Sequence, residues 1–299
     1  MGEKYVIGID AGGTKVAYGL FSSDGTLVSR RQHPTDAAAD GPGFSDTVIE
    51  NIRELMDQHA LSFDSLLGVG LCMPSFILYD EGRILMTSAM PGIKDFPMRD
   101  YLRERMPTRI VLDNDSNAAA LAEYRFGAGR GARHMVYVSI STGLGSGIII
   151  DGKLFRGTYG WAGECGHMLA TPDQGQMCGC ENRGCFMSYA SGNCIPAYMP
   201  GASGVDLLQA YQAGDAVAVG LVEQMARYLA VCVFNMYQML NIGAFVFGGG
   251  LVHFGQALFG RMRQVFERYN HIPLPVHFKM AELKSDFGVI GAAEFVRER

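Results

Sequence analysis

Near the start of the chain an apolar run, Tyr5-Val6-Ile7-Gly8-Ile9, leads into Asp10-Ala11-Gly12-Gly13-Thr14. A second apolar stretch, Val16 to Phe21, returns at once. The order is strand, tight glycine turn, strand. Glycines let backbone N–H groups come close to a phosphate. The Thr14 hydroxyl can donate to a phosphate oxygen, and Asp10 can hold a magnesium ion or its water. Taken alone, the motif reads equally as an ordinary hairpin turn.

The design recurs. Met135 to Ile140 is a second apolar strand, running into Ser141-Thr142-Gly143-Leu144-Gly145-Ser146-Gly147, with Ile148-Ile149-Ile150 after it. Asp151-Gly152 is a turn signal, and Lys153 to Arg156 reads as a third strand. The first unit has the same order, with an Asp24-Gly25 turn and a strand from Leu27 to Arg31. Two related halves, each with a glycine-rich turn, imply a nucleotide held in a cleft between them. A P-loop is excluded because no Gly-x-x-x-x-Gly-Lys-Ser/Thr stretch occurs. A dinucleotide fingerprint at Gly143-x-Gly145-x-Gly147 is disfavoured because a strand follows it, not a helix.

A chain of 299 residues suits two domains. Its net charge of −5 argues against an extended nucleic-acid surface. The first strand begins at Tyr5, which leaves no export signal, and no uninterrupted apolar stretch reads as membrane-spanning. The seven cysteines are odd in number, and three crowd into eight residues. That pattern points to a metal or to reduced thiols, and to a cytoplasmic location.

Elsewhere, apolar residues at helical spacing (Phe44, Val48, Ile52, Leu55, Met56) predict a helix over about residues 43–60. Leu67 to Met73 and Ile110 to Leu112 read as strands, and an alanine-rich helix is expected from about Ser116 to Tyr124. Residues 215–240 form a long apolar helix, Phe245 to Phe247 a strand ending in Gly248-Gly249-Gly250, and about 287–299 a final helix. Strands and helices alternate, so the class is α/β. The expected division is 1–118 plus 287–299 as a smaller domain, with 119–286 as a larger one.

Asp113-Asn114-Asp115-Ser116-Asn117 lies at the end of a strand and the start of a helix, where open α/β sheets place ligands. Phosphoryl transfer needs a carboxylate to accept the proton of the attacking hydroxyl, and Asp115 is the candidate. Capping the helix is its competing role. Glu164-Cys165-Gly166-His167 is followed by Cys178, Cys180 and Cys185. His167 with the three cysteines gives the N1S3 set of a closed, structural zinc site, as against a merely reduced thiol cluster. Cys72, Cys194 and Cys232 read as small buried residues.

Together these motifs resemble the ROK family of sugar kinases and related repressors, within the actin-like/hexokinase ATPase fold. The resemblance spans nearly the whole chain and is most specific at Glu164-x-Gly166-His167 with the cysteine cluster. It implies that Asp10, Gly12, Gly13, Thr14 and Lys15 form a first ATP-binding turn, and Thr142, Gly143 and Gly145 a second. Gly248, Gly249 and Gly250 would lie beside the adenosine. Asn114, Asp115, Glu164 and His167 would contact sugar hydroxyls, with Asp115 the base, and His167, Cys178, Cys180 and Cys185 would bind zinc. The implied reaction carries a phosphoryl group from Mg²⁺-bound ATP to a hexose, at its 6-hydroxyl, in a homodimeric enzyme.

The chain departs from the family pattern Cys-x-Cys-Gly-x-x-Gly-Cys-x-Glu. Glu181 replaces the Gly after the second Cys, and Met187 replaces the final Glu, which accepts hydrogen bonds from the sugar. Ala89 stands where a sugar-loop Asn is usual, and Pro74-Ser75 replaces Pro-Gly. These changes bear on which hexose is used. The tail from Ser285 to Ala293 looks closest to allose kinases. A non-catalytic sugar-binding sensor on the same scaffold is the alternative. A repressor is disfavoured, because no winged-helix domain precedes Tyr5.

Overall fold

A computed structural model describes residues 3–173 and 175–298. In chain order the first elements are β1 (Tyr5–Ala11), β2 (Lys15–Ser22), β3 (Leu27–Pro34), α1 (Gly41–Gln58), β4 (Leu66–Met73), β5 (Ser75–Leu78), β6 (Arg83–Thr87), β7 (Lys94–Phe96), α2 (Met98–Arg105), β8 (Ile110–Asn114) and α3 (Asp115–Phe126). Then come β9 (Met135–Ile140), β10 (Leu144–Ile150), β11 (Lys153–Leu154), α4 (Met187–Ala190), α5 (Gly204–Gln212), α6 (Ala216–Leu240), β12 (Ala244–Gly248), α7 (Phe259–Tyr269), β13 (His277–Met280) and α8 (Phe287–Arg297).

The repeat read from the two glycine turns reappears in the topology. One five-stranded sheet has the order β3-β2-β1-β4-β8 and another has β11-β10-β9-β12-β13. In the first, β1 is antiparallel to β2 and parallel to β4, which is parallel to β8. In the second, β12 is parallel to both β9 and β13. A small third sheet, β5-β6-β7, gives no repeat signal in the sequence because its strands are short and lack alternation.

The chain forms two compact units, Met1–Arg130 with Gly147–Ala162 and Glu282–Arg299, and Gly131–Ser146 with Gly163–Ala281. Relative to the division expected from sequence, residues 119–130, 147–162 and 282–286 join the first unit. Two contacts within that unit give the reason. Buried Glu123 of α3 accepts hydrogen bonds from the backbone N–H groups of Ala128, Glu282 and Leu283 at 2.8, 3.2 and 2.8 Å. Helix α8 then lies against α3 so closely that a Cβ on Gly291 would fall 1.9 Å from the Ala118 carbonyl oxygen.

The first unit has an aliphatic core, with Ile7, Ile9, Val16 and Leu20 of the hairpin packed among Val48, Ile52 and Leu55 of α1 and Val69 and Leu71 of β4. Helix α1 starts where Asp40 caps Gly43 N–H at 2.8 Å, and its apolar face is the one expected. Glycines bring α8 onto β1 and β4: a Cβ on Gly8 or Gly70 would meet the Val289 or Ala292 carbonyl oxygen at 2.0 or 1.7 Å.

The second unit has an aromatic core, in which Phe247 packs on Phe259 and Phe278, and Phe266 meets Phe278 edge-on. Helix α6 is the long apolar helix expected over 215–240: by length and composition it could span a bilayer, but Glu223 and Arg227 interrupt it. Half of its apolar window is buried in the protein, with Leu221, Met225, Leu229 and Val233 inside, as in a core helix. The third strand expected over Lys153 to Arg156 ends at Leu154, because Arg156 turns into a buried ion pair.

Candidate functional site

In the first unit, β1 carries Asp10 to the end of the sheet and the chain turns through Gly12-Gly13-Thr14 into Lys15. Gly12 N–H donates to the Lys15 carbonyl at 3.0 Å, and the Thr35 hydroxyl donates to the Gly12 carbonyl at 2.7 Å. Gly13, Thr14 and Lys15 are exposed. Neither glycine has a positive φ, and added Cβ atoms would meet only Lys15 oxygen at 3.4 Å or Ala89 at 3.8 Å. The protein's own packing therefore does not require glycine here, whereas close approach of a ligand to the backbone would.

Asp10 sits behind this turn. It is half-buried, and desolvation pushes its carboxyl above the usual range. The Cys72 thiol donates to its Oδ1 at 3.7 Å, so Cys72 is more than a space-filling residue. A Cβ on Gly288 would fall 2.3 Å from Asp10 Oδ2, so glycine at 288 makes room for the carboxylate.

The β8–α3 junction decides which residue caps the helix. Asn114 does, its Oδ1 accepting Asn117 N–H at 2.7 Å. Asp115 is thereby released from the capping role. Its own Oδ1 accepts Ser116 N–H at 2.9 Å. Burial, and then the charge of Asp10, push its carboxyl up to about 6. A half-buried carboxylate with a raised pKa, near a second carboxylate, is the environment of a general base.

Below it lies a network that sequence reasoning missed. Arg156 Nε donates to Asp113 Oδ2 at 2.6 Å, Arg156 Nη2 to Glu298 Oε2 at 2.6 Å, and Asn117 Nδ2 to Asp113 Oδ1 at 2.8 Å. Asp113 and Asn117 fall within the Asp-Asn-Asp motif, but their partner lies 43 positions from Asp113, beyond any local pattern.

In the second unit, the corresponding turn is Ser141-Thr142-Gly143. Ser141 N–H donates to the Gly143 carbonyl at 2.9 Å, and Thr142 is exposed. Gly145 lies one residue inside β10. At the end of β12, a Cβ on Gly248 would strike Tyr137 Oη at 2.0 Å, and one on Gly249, which has a φ of +90°, would strike the Ile140 carbonyl at 2.4 Å. Both are fixed by packing on β9. Gly250 faces open space, so of the three it is the one whose lack of a side chain leaves room for a ligand.

Glu164 and His167 are half-buried at the two ends of a single 3-10 turn, with His167 N–H donating to the Glu164 carbonyl at 3.1 Å. The four predicted ligands converge. Ligand atoms of His167, Cys178, Cys180 and Cys185 all lie within 4.8 Å of one another. The His167 Nδ1–Cys178 Sγ and Cys180 Sγ–Cys185 Sγ separations are both 3.7 Å. That is about the edge of a tetrahedron built on bonds of roughly 2.3 Å to a central zinc. Burial holds the His167 imidazole below its ordinary pKa, in the neutral form a metal needs. The residues therefore fit a closed structural ion. Glu181, in the position where the family has Gly, adopts a left-handed φ of +68°.

Comparison with known proteins follows from this geometry. The ROK family model matches residues 6–299. The chain belongs to the ROK family. It is similar to a glucokinase of Halalkalibacterium halodurans, 32% identical over 100% of this chain and 97% of the relative. It is similar to an N-acetylmannosamine kinase of Yersinia pestis, 32% identical over 97% and 98%. Among solved structures, a ROK family glucokinase from Streptomyces griseus in complex with glucose and AMPPNP aligns with a TM-score of 0.80 at 30% identity, covering 98% of this chain and 99% of that one. The fold is thus the actin-like/hexokinase ATPase type that the resemblance to the family implied.

Proposed function

We propose that this ROK chain is an ATP-dependent hexose kinase that transfers the γ-phosphoryl group to the sugar's 6-hydroxyl, with Asp115 as general base. The observation that carries the assignment is the state of Asp115. It is half-buried, relieved of capping by Asn114, and has a carboxyl raised to about 6. Such a group is ionised at neutral pH, yet basic enough to take a hydroxyl proton as the oxygen attacks. Asn114, Glu164 and His167 are the further sugar contacts of this reading.

The first turn, Asp10 to Lys15, and the second, Thr142, Gly143 and Gly145, hold the phosphates, with Gly248 to Gly250 beside the adenosine. Magnesium arrives with ATP and offsets phosphate charge. Asp10 would hold it or its water, and a half-buried carboxylate that raises its neighbour's pKa suits a hard dication. Zinc held by His167, Cys178, Cys180 and Cys185 would fix the loop bearing Glu164. All seven cysteines are free thiols, which supports a cytoplasmic location. A homodimer is part of the proposal, and light scattering in solution tests it.

The test is coupled ADP release over a hexose panel that includes glucose, allose and N-acetylmannosamine, with Asp115→Ala beside the parent. Sugar-dependent turnover that vanishes in the variant is expected. The competing reading, a non-catalytic sugar sensor, draws on Met187 and Ala89, which offer the sugar no strong polar group. Folded protein that binds AMPPNP and sugar but releases no ADP would establish it.

A further inference from the structure

We infer that Met187 is a positioning residue for the second glycine turn, so that the segment leaving the metal cluster sets how tightly nucleotide phosphates are held. The inference rests on the kinase reading, since it assumes that the turn binds ATP.

Three contacts carry it, all within the second unit. Leu144 N–H, the first donor after the turn, points at Met187 Sδ at 3.1 Å. The thioether lies between two glycines: a Cβ on Gly143 would meet Met187 Sδ at 3.5 Å, and one on Gly166 would meet Met187 Cε at 2.9 Å. From the same short segment, Gly192 N–H donates to the Ser141 carbonyl at 2.7 Å and Asn193 N–H to the Thr142 carbonyl at 2.9 Å. The Ser191 hydroxyl closes back on the Met187 carbonyl at 2.7 Å. Every residue of the turn, and the strand residue after it, is thus touched by residues 187–193. That segment begins two positions after the ligand Cys185.

The chemistry of the side chain matters. A thioether is a weak acceptor without charge. It occupies Leu144 N–H and fills the space beside Gly143. A glutamine would accept the same hydrogen bond, and a leucine would fill the same space without accepting one.

The experiment measures AMPPNP binding, with magnesium, by calorimetry on the zinc-loaded parent and on Met187→Ala, Met187→Gln and Met187→Leu. Melting temperature and zinc content are recorded for each. Met187→Ala is expected to raise Kd about fivefold, roughly one lost neutral hydrogen bond on the tenfold-per-1.4 kcal/mol scale. Met187→Gln should stay within about twofold, and Met187→Leu should weaken binding by less than the alanine does, since it keeps the packing and loses only the acceptor. Sugar KM should move less than nucleotide KM in the alanine and leucine variants. Folded, zinc-bearing Ala and Leu variants that bind AMPPNP as the parent does would overturn the inference alone. A parent that binds no AMPPNP would overturn it together with the kinase reading. If the alanine variant fails to fold, the Gln–Leu pair still decides, because both side chains fill the site and only glutamine accepts the hydrogen bond.

Discussion

The two glycine hairpins share one sheet order but are held in place by different means. The first, Gly12 to Thr14, stands on an aliphatic core and is braced by one neighbouring loop through Thr35. The chemistry behind it is two half-buried carboxylates, Asp10 on β1 and Asp115 at the start of α3, in one unit. The second, Ser141 to Gly143, is braced by residues 187–193, just beyond a loop that brings His167, Cys178, Cys180 and Cys185 together. The doubled hairpin thus gives two glycine turns, the first standing on hydrophobic packing and the second beside a cluster with the donor set of a metal site.

Breaking the first half should have the largest effect. Asp115→Ala is expected to lower kcat by about 10²–10⁴, the usual contribution of a positioned base, as read by ADP release. In the parent, kcat/KM should fall about tenfold per pH unit below about 6, as Asp115 protonates. The same shift gives a stability prediction of opposite sense. The folded pKa lies above the unfolded value of 3.8, so the neutral acid is favoured by folding, and that stability is lost as pH rises from 3.8 through about 6. Asp115→Asn should therefore be inactive yet more stable near pH 7.5, by about 1–3 kcal/mol in denaturant unfolding. A less stable Asp115→Asn protein would mean that the carboxylate is better solvated or paired than its burial indicates.

The buried network beneath that junction comes next. Arg156→Ala leaves Asp113 without its partner and should cost about 3–5 kcal/mol. It should act first through melting temperature, with KM values nearly unchanged in protein that remains folded. A loss below about 1 kcal/mol would show that Asn117 and water hold Asp113 well enough without the guanidinium.

The contrast with the second half is sharpened by metal removal. Cys180→Ser, or chelation of the parent, should release one equivalent of zinc and raise proteolytic cleavage within residues 165–190. The first unit's hydrogen-exchange protection in β1 and β4 should stay as it was. Retention of tightly bound zinc by Cys180→Ser would exclude the proposed ligand set. The smallest effect is expected at Glu181, whose left-handed backbone costs roughly 1 kcal/mol in a residue other than glycine. Glu181→Gly should recover about that amount, less the added chain entropy, as a small rise in melting temperature with zinc bound.

Much of this molecule was legible in its sequence because the signals were local. The repeated strand–glycine turn–strand order fixed the sheet class, since apolar runs and glycines act within a few residues of one another. The cysteine spacing picked out the four donor residues for the same reason, as one short stretch brings them together. What required tertiary structure were the choices between residues of equal local merit. Asn114 and Asp115 can each cap a helix, and only the fold assigned the cap to Asn114 and left Asp115 with a raised pKa. Asp113 and Arg156 lie 43 positions apart, and no local pattern pairs them. Gly248 and Gly249 look like a nucleotide turn in sequence, yet strand β9 is what excludes their side chains. Local chemistry specifies which elements form. Burial and long-range contact decide which of their residues remain available for function.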